Sequence, residues 1–284
     1  MSAGDWDRTW PAPAKLNLFL HVVGRREDGY HLLQTAFRLI DCCDGLRFSR
    51  DPSHRVSLAR PLPGVDASEE LGVRAARLLK RETGCRHGVE ISIEKNIPIG
   101  GGLGGGSSDA ATTLIALNRL WNLGLSRRQL AALGLSLGAD VPFFLFGRNA
   151  IGEGVGERLQ PLALDPAWYV VLVPPVSVPT REVFAAPELT RDTKSITISS
   201  FSAGFGHNDL EPVVSRRYPL VAAHLAWLKA HGDARMSGSG ACVFAEFPTE
   251  AQARAVVSGL PPGMRGFAAC GLQEHPLAAD SAES

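Results

Sequence analysis

The feature that most constrains the fold is a run of glycine between a predicted strand and a predicted helix. Six of the seven residues from 100 to 106 are glycine. Residues 89–95 alternate polar and apolar types and predict a strand, while 107–121 have apolar residues at helical spacing. A glycine backbone can adopt left-handed torsions that point successive N–H groups into one concavity, and the helix dipole adds to the same field. The run therefore predicts an anion-binding loop rather than a linker.

Three common nucleotide-binding loops are disfavoured by the surrounding residues. Gly100, Gly102 and Gly105 fit G-x-G-x-x-G, but any glycine run fits that pattern. The dinucleotide fold also needs an acidic residue about 20 positions further on, and none occurs between Ala110 and Ala139. No lysine ends the run as in a Walker A loop, and the protein-kinase signatures H-R-D and D-F-G are absent.

Composition excludes several other classes of protein. The chain has 284 residues, with 29 Lys or Arg and 29 Asp or Glu, so its formal net charge is zero. Nucleic-acid-binding chains normally carry a basic excess, so no nucleic-acid partner is expected. No apolar stretch approaches the roughly 20 residues that cross a bilayer. Five cysteines without a C-x-x-C pair, and an N-terminus without an export signal, predict a cytoplasmic protein.

The remaining pattern predicts an α+β fold, because strands and helices are mixed without regular alternation. A turn at 41–45 is predicted to separate two strands, Ser68 to cap a helix, and the tail after Gln273 to fray. Glycine and proline concentrate at 147–166, which predicts two domains, 1–160 and 161–284. The other strands are predicted at 14–23, 33–40, 45–49, 168–173, 242–247 and 266–271, and the other helices at 68–82, 126–137, 208–229 and 248–259.

Three further features are candidates for chemistry. Asp140 is the first acid after the acid-free segment and is flanked by small and apolar residues. It is either a partly desolvated functional carboxylate or a helix cap. Lys15 opens an apolar strand and is either functional or a solvated edge residue. Residues 237–240 read Ser-Gly-Ser-Gly and form either a hairpin turn or a second anion-binding loop.

Together these segments resemble a known family. PAPAKLNLFLHVVGRREDGYHLLQT covers residues 11–35, IPIGGGLGGGSSDAAT covers 97–112, and MSGSGACVF covers 236–244, with LGADVPFFLFG around Asp140. This ordered set resembles the GHMP kinase superfamily over nearly the whole chain. The resemblance implies a two-domain GHMP-kinase-like fold with the active site in the interdomain cleft. It also implies phosphoryl transfer from ATP, with Mg²⁺, to an alcohol.

The resemblance also implies roles for individual residues. Asp140 matches the catalytic aspartate, which also contacts substrate, and Lys15 matches its partner lysine. No side chain is assigned as a metal ligand of the protein's own. The triphosphate-binding role falls on Pro98, Ile99, Gly100, Gly101, Gly102, Leu103, Gly104, Gly105, Gly106, Ser107 and Ser108.

The implied partner is a small molecule, a sugar alcohol that carries cytidine diphosphate. Asn17, Tyr30 and His31 match substrate-side positions, where the tyrosine stacks on cytosine and the histidine bonds to its edge. Phe184 is expected to form the wall opposite Tyr30, so that the two aromatic rings make a slot for the cytosine. Thr180 and Asp109 are weaker candidates for the polar lining of the active site.

One departure and three rival interpretations remain. The family usually has Asp-Asn before the helix near residue 71, where the Asn contacts adenine, but this chain has Glu69 and Glu70. The rivals are a sibling kinase for homoserine or a mevalonate-type alcohol, a nucleotide sensor without activity, and an RNA-binding module. Lys15 and Asp140 disfavour the sensor, and zero net charge disfavours the RNA-binding module.

Overall fold

The structure is a computed structural model that describes residues 4–62, 64–197 and 205–280. The strands are β1 (Trp10–Arg25), β2 (His31–Asp51), β3 (Val56–Leu58), β4 (Gly88–Glu94), β5 (Ala150–Gly154), β6 (Arg158–Pro161), β7 (Trp168–Leu172), β8 (Ala234–Met236), β9 (Val243–Phe247) and β10 (Gly266–Cys270). The helices are α1 (Gly4–Asp7), α2 (Leu71–Thr83), α3 (Gly105–Leu120), α4 (Arg127–Leu135), α5 (Val141–Phe146), α6 (Thr180–Phe184), α7 (Glu211–Arg217), α8 (Pro219–Lys229) and α9 (Glu250–Ser258), and a short 3₁₀ helix covers Ala278–Asp280.

The first sheet is built around the long strand β2. Its order is β3-β4-β2-β5-β6, and β1 pairs with β2 as a long antiparallel hairpin. The pair β3 and β4 is parallel, and the other pairs are antiparallel. Helices α2 and α3 pack on this sheet, where Val73, Leu79, Leu114 and Leu117 are buried with strand residues such as Phe48. This arrangement places the start of α3 beside β1.

The predicted turn at 41–45 is wrong, because β2 runs through it as a strand. The register with β1 shifts here, from Pro13 opposite Cys43 to Ala14 opposite Ile40. The two extra residues form a bulge, which a strand tolerates without turning back. The polar side chain of Asp41 leaves the bulge and accepts a hydrogen bond from the Cys270 N–H at 2.7 Å.

The predicted cap of α2 is also wrong. The helix begins at Leu71, and Glu70 is its N-cap, with carboxylate oxygens that accept from the N–H groups of Gly72 and Val73 at 2.9 and 2.7 Å. Ser68 instead bonds to Asp66. The helix therefore starts three residues after the serine that the pattern favoured.

The second sheet has the order β10-β7-β9-β8 and is antiparallel throughout. Successive side chains of a strand point to opposite faces, and side chains on both faces of β7 are packed against other elements. Val170 packs with α8 residues such as Leu225, while Tyr169 and Val171 pack with first-sheet residues such as Leu16. The two sheets are therefore joined by a shared apolar layer.

The first sheet ends at Pro161 and the second begins at Trp168. The glycine- and proline-rich segment at 147–166 spans this change, and the division between residues 160 and 161 stays a prediction. In the part of the chain that the structure describes, no helix is both long and apolar enough to cross a membrane.

The longer predicted elements are confirmed, and the chain end is not as expected. Helix α3 starts two residues before its predicted start, and helices α7 and α8 fill the predicted 208–229 region. Residues 274–280 of the tail pack on the first half: Leu277 is buried, and Arg127 donates to its carbonyl at 2.9 Å. The last four residues of the predicted frayed tail lie outside the described residues. No prediction covers the short elements β3, β5, β6, β8, α5 and α6, since three to six residues carry little periodicity.

Candidate active site

A cavity of about 1180 Å³ is lined by both halves of the chain. The first half contributes Lys15, Asp140 and residues 98–107 of the glycine loop, which covers 98–108. The second half contributes Thr180, Phe184 and residues 238–240. Except for Ser108, every residue predicted for catalysis, phosphate binding or substrate binding lines this cavity.

The glycine loop has the backbone torsions that an anion cradle requires. Gly100, Gly102 and Gly104 have φ of +70, +77 and +74°, in the left-handed region that other residues rarely adopt. Gly104 is the N-cap of α3 and supplies no side-chain cap. The first N–H groups of this 16-residue helix are therefore left for a bound anion.

Ser108 corrects one predicted phosphate contact. Its side chain is completely buried in the first turn of α3, and its hydroxyl has no hydrogen-bond partner among the described residues. Ser107, by contrast, lines the cavity. The helix turns Ser108 toward the interior, because neighbouring residues on a helix face different directions.

The glycine loop is locked to the turn between β8 and β9. The Cys242 N–H donates to the Gly101 carbonyl at 3.0 Å, and the Ser237 hydroxyl donates to the Gly102 carbonyl at 3.1 Å. A Cβ on Gly102 would collide with the Ser237 carbonyl oxygen. Residues 237–240 therefore form a hairpin turn that also fixes the shape of the glycine loop, a role that the sequence alone did not suggest.

Lys15 is buried and forms an ion pair with the partly exposed carboxylate of Asp140. Its Nζ lies 3.3 Å from Asp140 Oδ2, and the two side chains are 4% and 33% exposed. The Lys15 N–H donates to the Leu103 carbonyl at 2.9 Å, and its ammonium donates to Asn17 Oδ1. The interpretation of Lys15 as a solvated edge residue is therefore wrong.

Asp140 stands at the start of α5 without capping it. Its side chain makes no cap hydrogen bond, and Pro142 in the first turn has no N–H to offer. The interpretation of Asp140 as a helix cap is therefore wrong. Its carboxylate remains for Lys15 and for a ligand in the cavity.

Asn17 is held from both sides. Its amide Nδ2 donates to Thr35 Oγ1 at 2.9 Å, and its backbone N–H donates to the Ser237 hydroxyl at 3.2 Å. Its Oδ1 accepts from Lys15. Asn17 lines the cavity as predicted, and the structure adds a second role, because its amide oxygen fixes the position of the lysine.

The aromatic residues lie at another part of the cavity. Tyr30 is 65% exposed in the turn between β1 and β2 and makes no ring contact with a described residue. His31 and Phe184 face each other with ring centroids 5.1 Å apart and an interplanar angle of 34°. Phe184 therefore packs on His31, the residue predicted to bond to the cytosine edge. The stacking of cytosine between Tyr30 and Phe184 stays a prediction.

Burial and two cations influence His31. Partial burial lowers the pKa of its imidazole, and the positive charges of Arg191 and Arg25 lower that pKa further. The ring is therefore favoured in its neutral form near neutral pH. Thr180, at the start of α6, shares a hydrogen bond of 2.6 Å with the Ser239 hydroxyl and adds polar lining.

A second lysine cluster was missed by sequence reasoning. Lys95 follows β4 and pairs with Asp109 at 2.7 Å and with Asp44. Burial raises the pKa of Asp109 to about 7, against the opposing effect of Lys95 and with further help from Asp44. The available signal was position in the sequence, because Lys95 lies three residues before the glycine loop and Asp109 follows it directly.

The region beside α2 differs from the family pattern at Glu70. This residue is buried and lines the cavity together with Glu69 and Leu71. Its carboxylate is used to cap α2. Glu70 therefore serves as the cap of α2. No residue is assigned to the contact with adenine that the family's asparagine makes.

Two family models match the chain. The model described as GHMP kinases N terminal domain matches residues 70–148, and the one described as GHMP kinases C terminal matches 194–262. The fold agrees: a solved homoserine kinase from Cytophaga hutchinsonii superposes with a TM-score of 0.69 at 17% identity, covering 93% of this chain and 94% of that chain. The two family models therefore identify the chain as a GHMP kinase, and its fold is consistent with that class.

Closer relatives narrow this class. The chain is 60% identical over 270 residues to 4-diphosphocytidyl-2-C-methyl-D-erythritol kinase of Thiobacillus denitrificans, covering 95% of this chain and 97% of the relative. A crystal structure of 4-(cytidine 5'-diphospho)-2C-methyl-D-erythritol kinase is 37% identical with a TM-score of 0.80, covering 93% of this chain and 99% of that one. The chain belongs to the family of 4-diphosphocytidyl-2-C-methyl-D-erythritol kinases.

Proposed function

We propose that this protein transfers the γ-phosphoryl group of ATP to the 2-hydroxyl of 4-diphosphocytidyl-2-C-methyl-D-erythritol, a step of the non-mevalonate route to isoprenoid precursors. One observation carries the proposal. The Lys15–Asp140 pair, with 3.3 Å between Nζ and Oδ2, lines the same cavity as the glycine loop and as His31. One cavity thus offers a cradle for the phosphates of ATP, a carboxylate for the acceptor hydroxyl and a slot for the cytosine of the acceptor.

Asp140 acts on the acceptor. Its carboxylate, one-third exposed toward the cavity, can accept the proton of the substrate hydroxyl as that oxygen bonds to phosphorus. Lys15 places a positive charge beside the reacting oxygens and stabilises the negative charge that develops in transfer. Asn17 holds the ammonium in place. Phosphoryl transfer needs chiefly this positioning and charge stabilisation.

The glycine loop binds the phosphates. Its backbone N–H groups and the uncapped start of α3 supply fixed positive ends of dipoles. The residues also fit Mg²⁺, because the Asp140 carboxylate on the cavity is an oxygen ligand of the kind this ion prefers beside phosphate oxygens. Mg²⁺ neutralises phosphate charge when bound.

The slot at Tyr30, His31 and Phe184 binds the cytosine of the acceptor. Aromatic faces suit a flat, neutral base, and one imidazole supplies a polar contact to its edge. Thr180 supplies further polar lining next to this slot. The cytoplasmic location stays a prediction of the sequence.

The test is Mg²⁺-dependent release of ADP from ATP with four acceptors. These are 4-diphosphocytidyl-2-C-methyl-D-erythritol, homoserine, mevalonate and none. Turnover with the cytidyl acceptor alone is expected. Turnover with another alcohol would keep the role of Asp140 and reject the substrate. ATP binding with no turnover on any acceptor would favour a nucleotide sensor.

Replacing Tyr30 tests the base slot. Tyr30→Ala is expected to raise KM for the cytidyl acceptor roughly tenfold, the low end for loss of one base-stacking ring, since Tyr30 is largely exposed. KM for ATP is expected to change little. Tyr30→Phe is the matched control, because it keeps the ring. Equal increases in both KM values would contradict the stacking role.

A further inference from the structure

Arg191 lies behind the base slot and bonds directly to its histidine. It is absent from the cavity lining, and its Nε donates to His31 Nε2 at 3.1 Å. A guanidinium only donates hydrogen bonds, so Nε2 must be the acceptor. A neutral imidazole has one N–H, which this bond assigns to Nδ1. No group among the described residues bonds to Nδ1.

The same guanidinium fixes the segment that carries the aromatic wall. Nη2 donates to the carbonyls of Phe184 and Ala186 at 3.2 and 2.6 Å, and Nη1 donates to the Leu189 carbonyl at 3.0 Å. The Phe184 ring lies against His31. One side chain therefore sets the proton position of the histidine and the backbone of its neighbour. A lysine, with all its donors on one atom, cannot reproduce that fork.

The surroundings of His31 favour this single state. Arg25 is paired with it across the β1–β2 hairpin, and Asp28 lies in the turn between them. Burial, Arg191 and Arg25 together lower the pKa of His31. With the charged form disfavoured, the tautomer decides what the ring offers a ligand.

We propose that Arg191 is a positioning residue that holds His31 as an Nδ1–H donor and thereby makes the slot select cytosine over uracil. The inference rests on the proposed function, because it takes the slot to bind the base of the acceptor. Cytosine N3 is a bare acceptor and matches an N–H donor. Uracil N3 carries a hydrogen, so a donor that faces it is left unpaired once the bound base shields it from water, and this costs binding free energy.

The binding test compares CDP with UDP in four proteins. The wild type is expected to bind CDP roughly tenfold more tightly than UDP, as one well-placed base contact allows. Arg191→Met is expected to lose most of that preference and to raise KM for the cytidyl acceptor, with kcat and KM for ATP nearly unchanged. Arg191→Lys keeps the charge without the fork, and is expected to lose the preference as well.

Arg217→Met is the matched control. Arg217 supports the same segment, through Glu188 at 2.9 Å and the Glu182 carbonyl at 3.4 Å. Its bonds do not include His31. Removing it is expected to leave the CDP preference intact, whereas an equal loss in both variants would reduce Arg191 to general support of the segment and overturn the proposal.

Nitrogen-15 NMR of the imidazoles reads the tautomer directly in the free wild-type protein. The chain has eight histidines, and His31→Gln identifies the signal. In the wild type we expect the Nδ1–H tautomer of His31 to dominate. In Arg191→Met we expect this tautomer to lose its dominance. A wild type with the proton on Nε2 would overturn the proposal, whatever the activity.

Two results separate this inference from the proposed function. A protein that phosphorylates the cytidyl acceptor but binds CDP and UDP equally overturns the inference and leaves the function standing. A protein that does not phosphorylate this acceptor, yet prefers CDP to UDP and loses the preference in Arg191→Met, supports the inference and contradicts the function.

Discussion

Two lysine clusters border the glycine loop, and they differ in how much water reaches them. Lys15 pairs with Asp140, whose side chain is 33% exposed at the cavity. Lys95 pairs with Asp44 and Asp109, whose side chains are 0% and 1% exposed. The residue types are the same, and only the first cluster leaves a carboxylate open to a ligand.

Adjacent residues of the loop separate these clusters. A Cβ on Gly104 would lie 3.1 Å from Lys15 Cε, and a Cβ on Gly105 would lie 3.3 Å from Lys95 Nζ. The glycine loop therefore has one lysine close to each of two consecutive glycines. Exposure, rather than residue type, therefore separates the pair that a ligand can reach from the pair that is enclosed beside the loop.

Replacing the two aspartates in turn should give the largest contrast in activity. Asp140→Asn is expected to lower kcat roughly a thousandfold, within the range for loss of a general base, and to leave nucleotide binding nearly intact. Asp109→Asn, the matched control, is expected to keep most of kcat. Steady-state kinetics and nucleotide titration check both. An Asp140→Asn enzyme with most of its kcat would show that the assigned role is wrong.

Replacing the two lysines should separate activity from stability. Lys95→Met leaves two buried carboxylates without their shared cation, and is expected to lower the free energy of unfolding by about 3–5 kcal/mol. Lys15→Met is expected to lower kcat roughly a hundredfold, as loss of a charge-stabilising group does. Urea unfolding and kcat are measured for both variants. Comparable stability of Lys95→Met and the wild type would contradict the supporting role of the buried cluster.

Adding a methyl group to each glycine tests the separation at finer scale. At Gly104, φ is +74° and a Cβ would lie 2.9 Å from Phe144 Cζ, so Gly104→Ala is expected to cost about 1–3 kcal/mol and to displace Lys15. Gly105 is the first residue of α3, where alanine is a better helix former. Gly105→Ala is therefore expected to cost less stability and less kcat. The reverse order would break the comparison.

The buried cluster also imposes a pH dependence on the free energy of unfolding. The folded protein holds a proton on Asp109 up to about pH 7, whereas an unfolded aspartate releases it near pH 4. Between these values the native state binds more protons, so the Asp109 contribution to stability falls as pH rises through this window and is constant above it.

Asp109→Asn is expected to lack this part of the pH dependence. Urea unfolding of the wild type and of this variant, at several values from about pH 5 to about pH 8, gives the two slopes. A steeper decline in the wild type is expected. Parallel slopes would show that the Asp109 carboxyl does not take up the proton on folding.

Sequence reasoning succeeded where the signal was local. The glycine run predicted an anion loop, and the structure shows left-handed glycines that lead into α3. The long strands and helices followed from periodicity over many residues. It failed at the bulge in β2, where turn-forming residues were interpreted as a turn, and at Ser68, because Glu70 directly before the helix supplies the cap instead.

The missing parts of the site depend on contacts between distant segments. Ser237 meets the glycine loop across 135 positions, and Arg191 meets His31 across 160. Neither contact leaves a periodic or local pattern in the chain. Lys95 and Asp109 lie near the two ends of the glycine loop, but their shared partner Asp44 lies 51 positions before Lys95, so the whole cluster is not visible locally.

By itself, the sequence determined the glycine loop, the fold class and the family, since these rest on backbone freedom, periodicity and an ordered set of motifs. The tertiary structure decided which polar side chains are exposed to a ligand and which are buried. Only folding placed Asp140 at an open edge and Asp109 in the interior, and only folding set Arg191 against His31. Burial and hydrogen-bond partners control the charge and proton position of a side chain, and both are fixed by segments far apart in the chain.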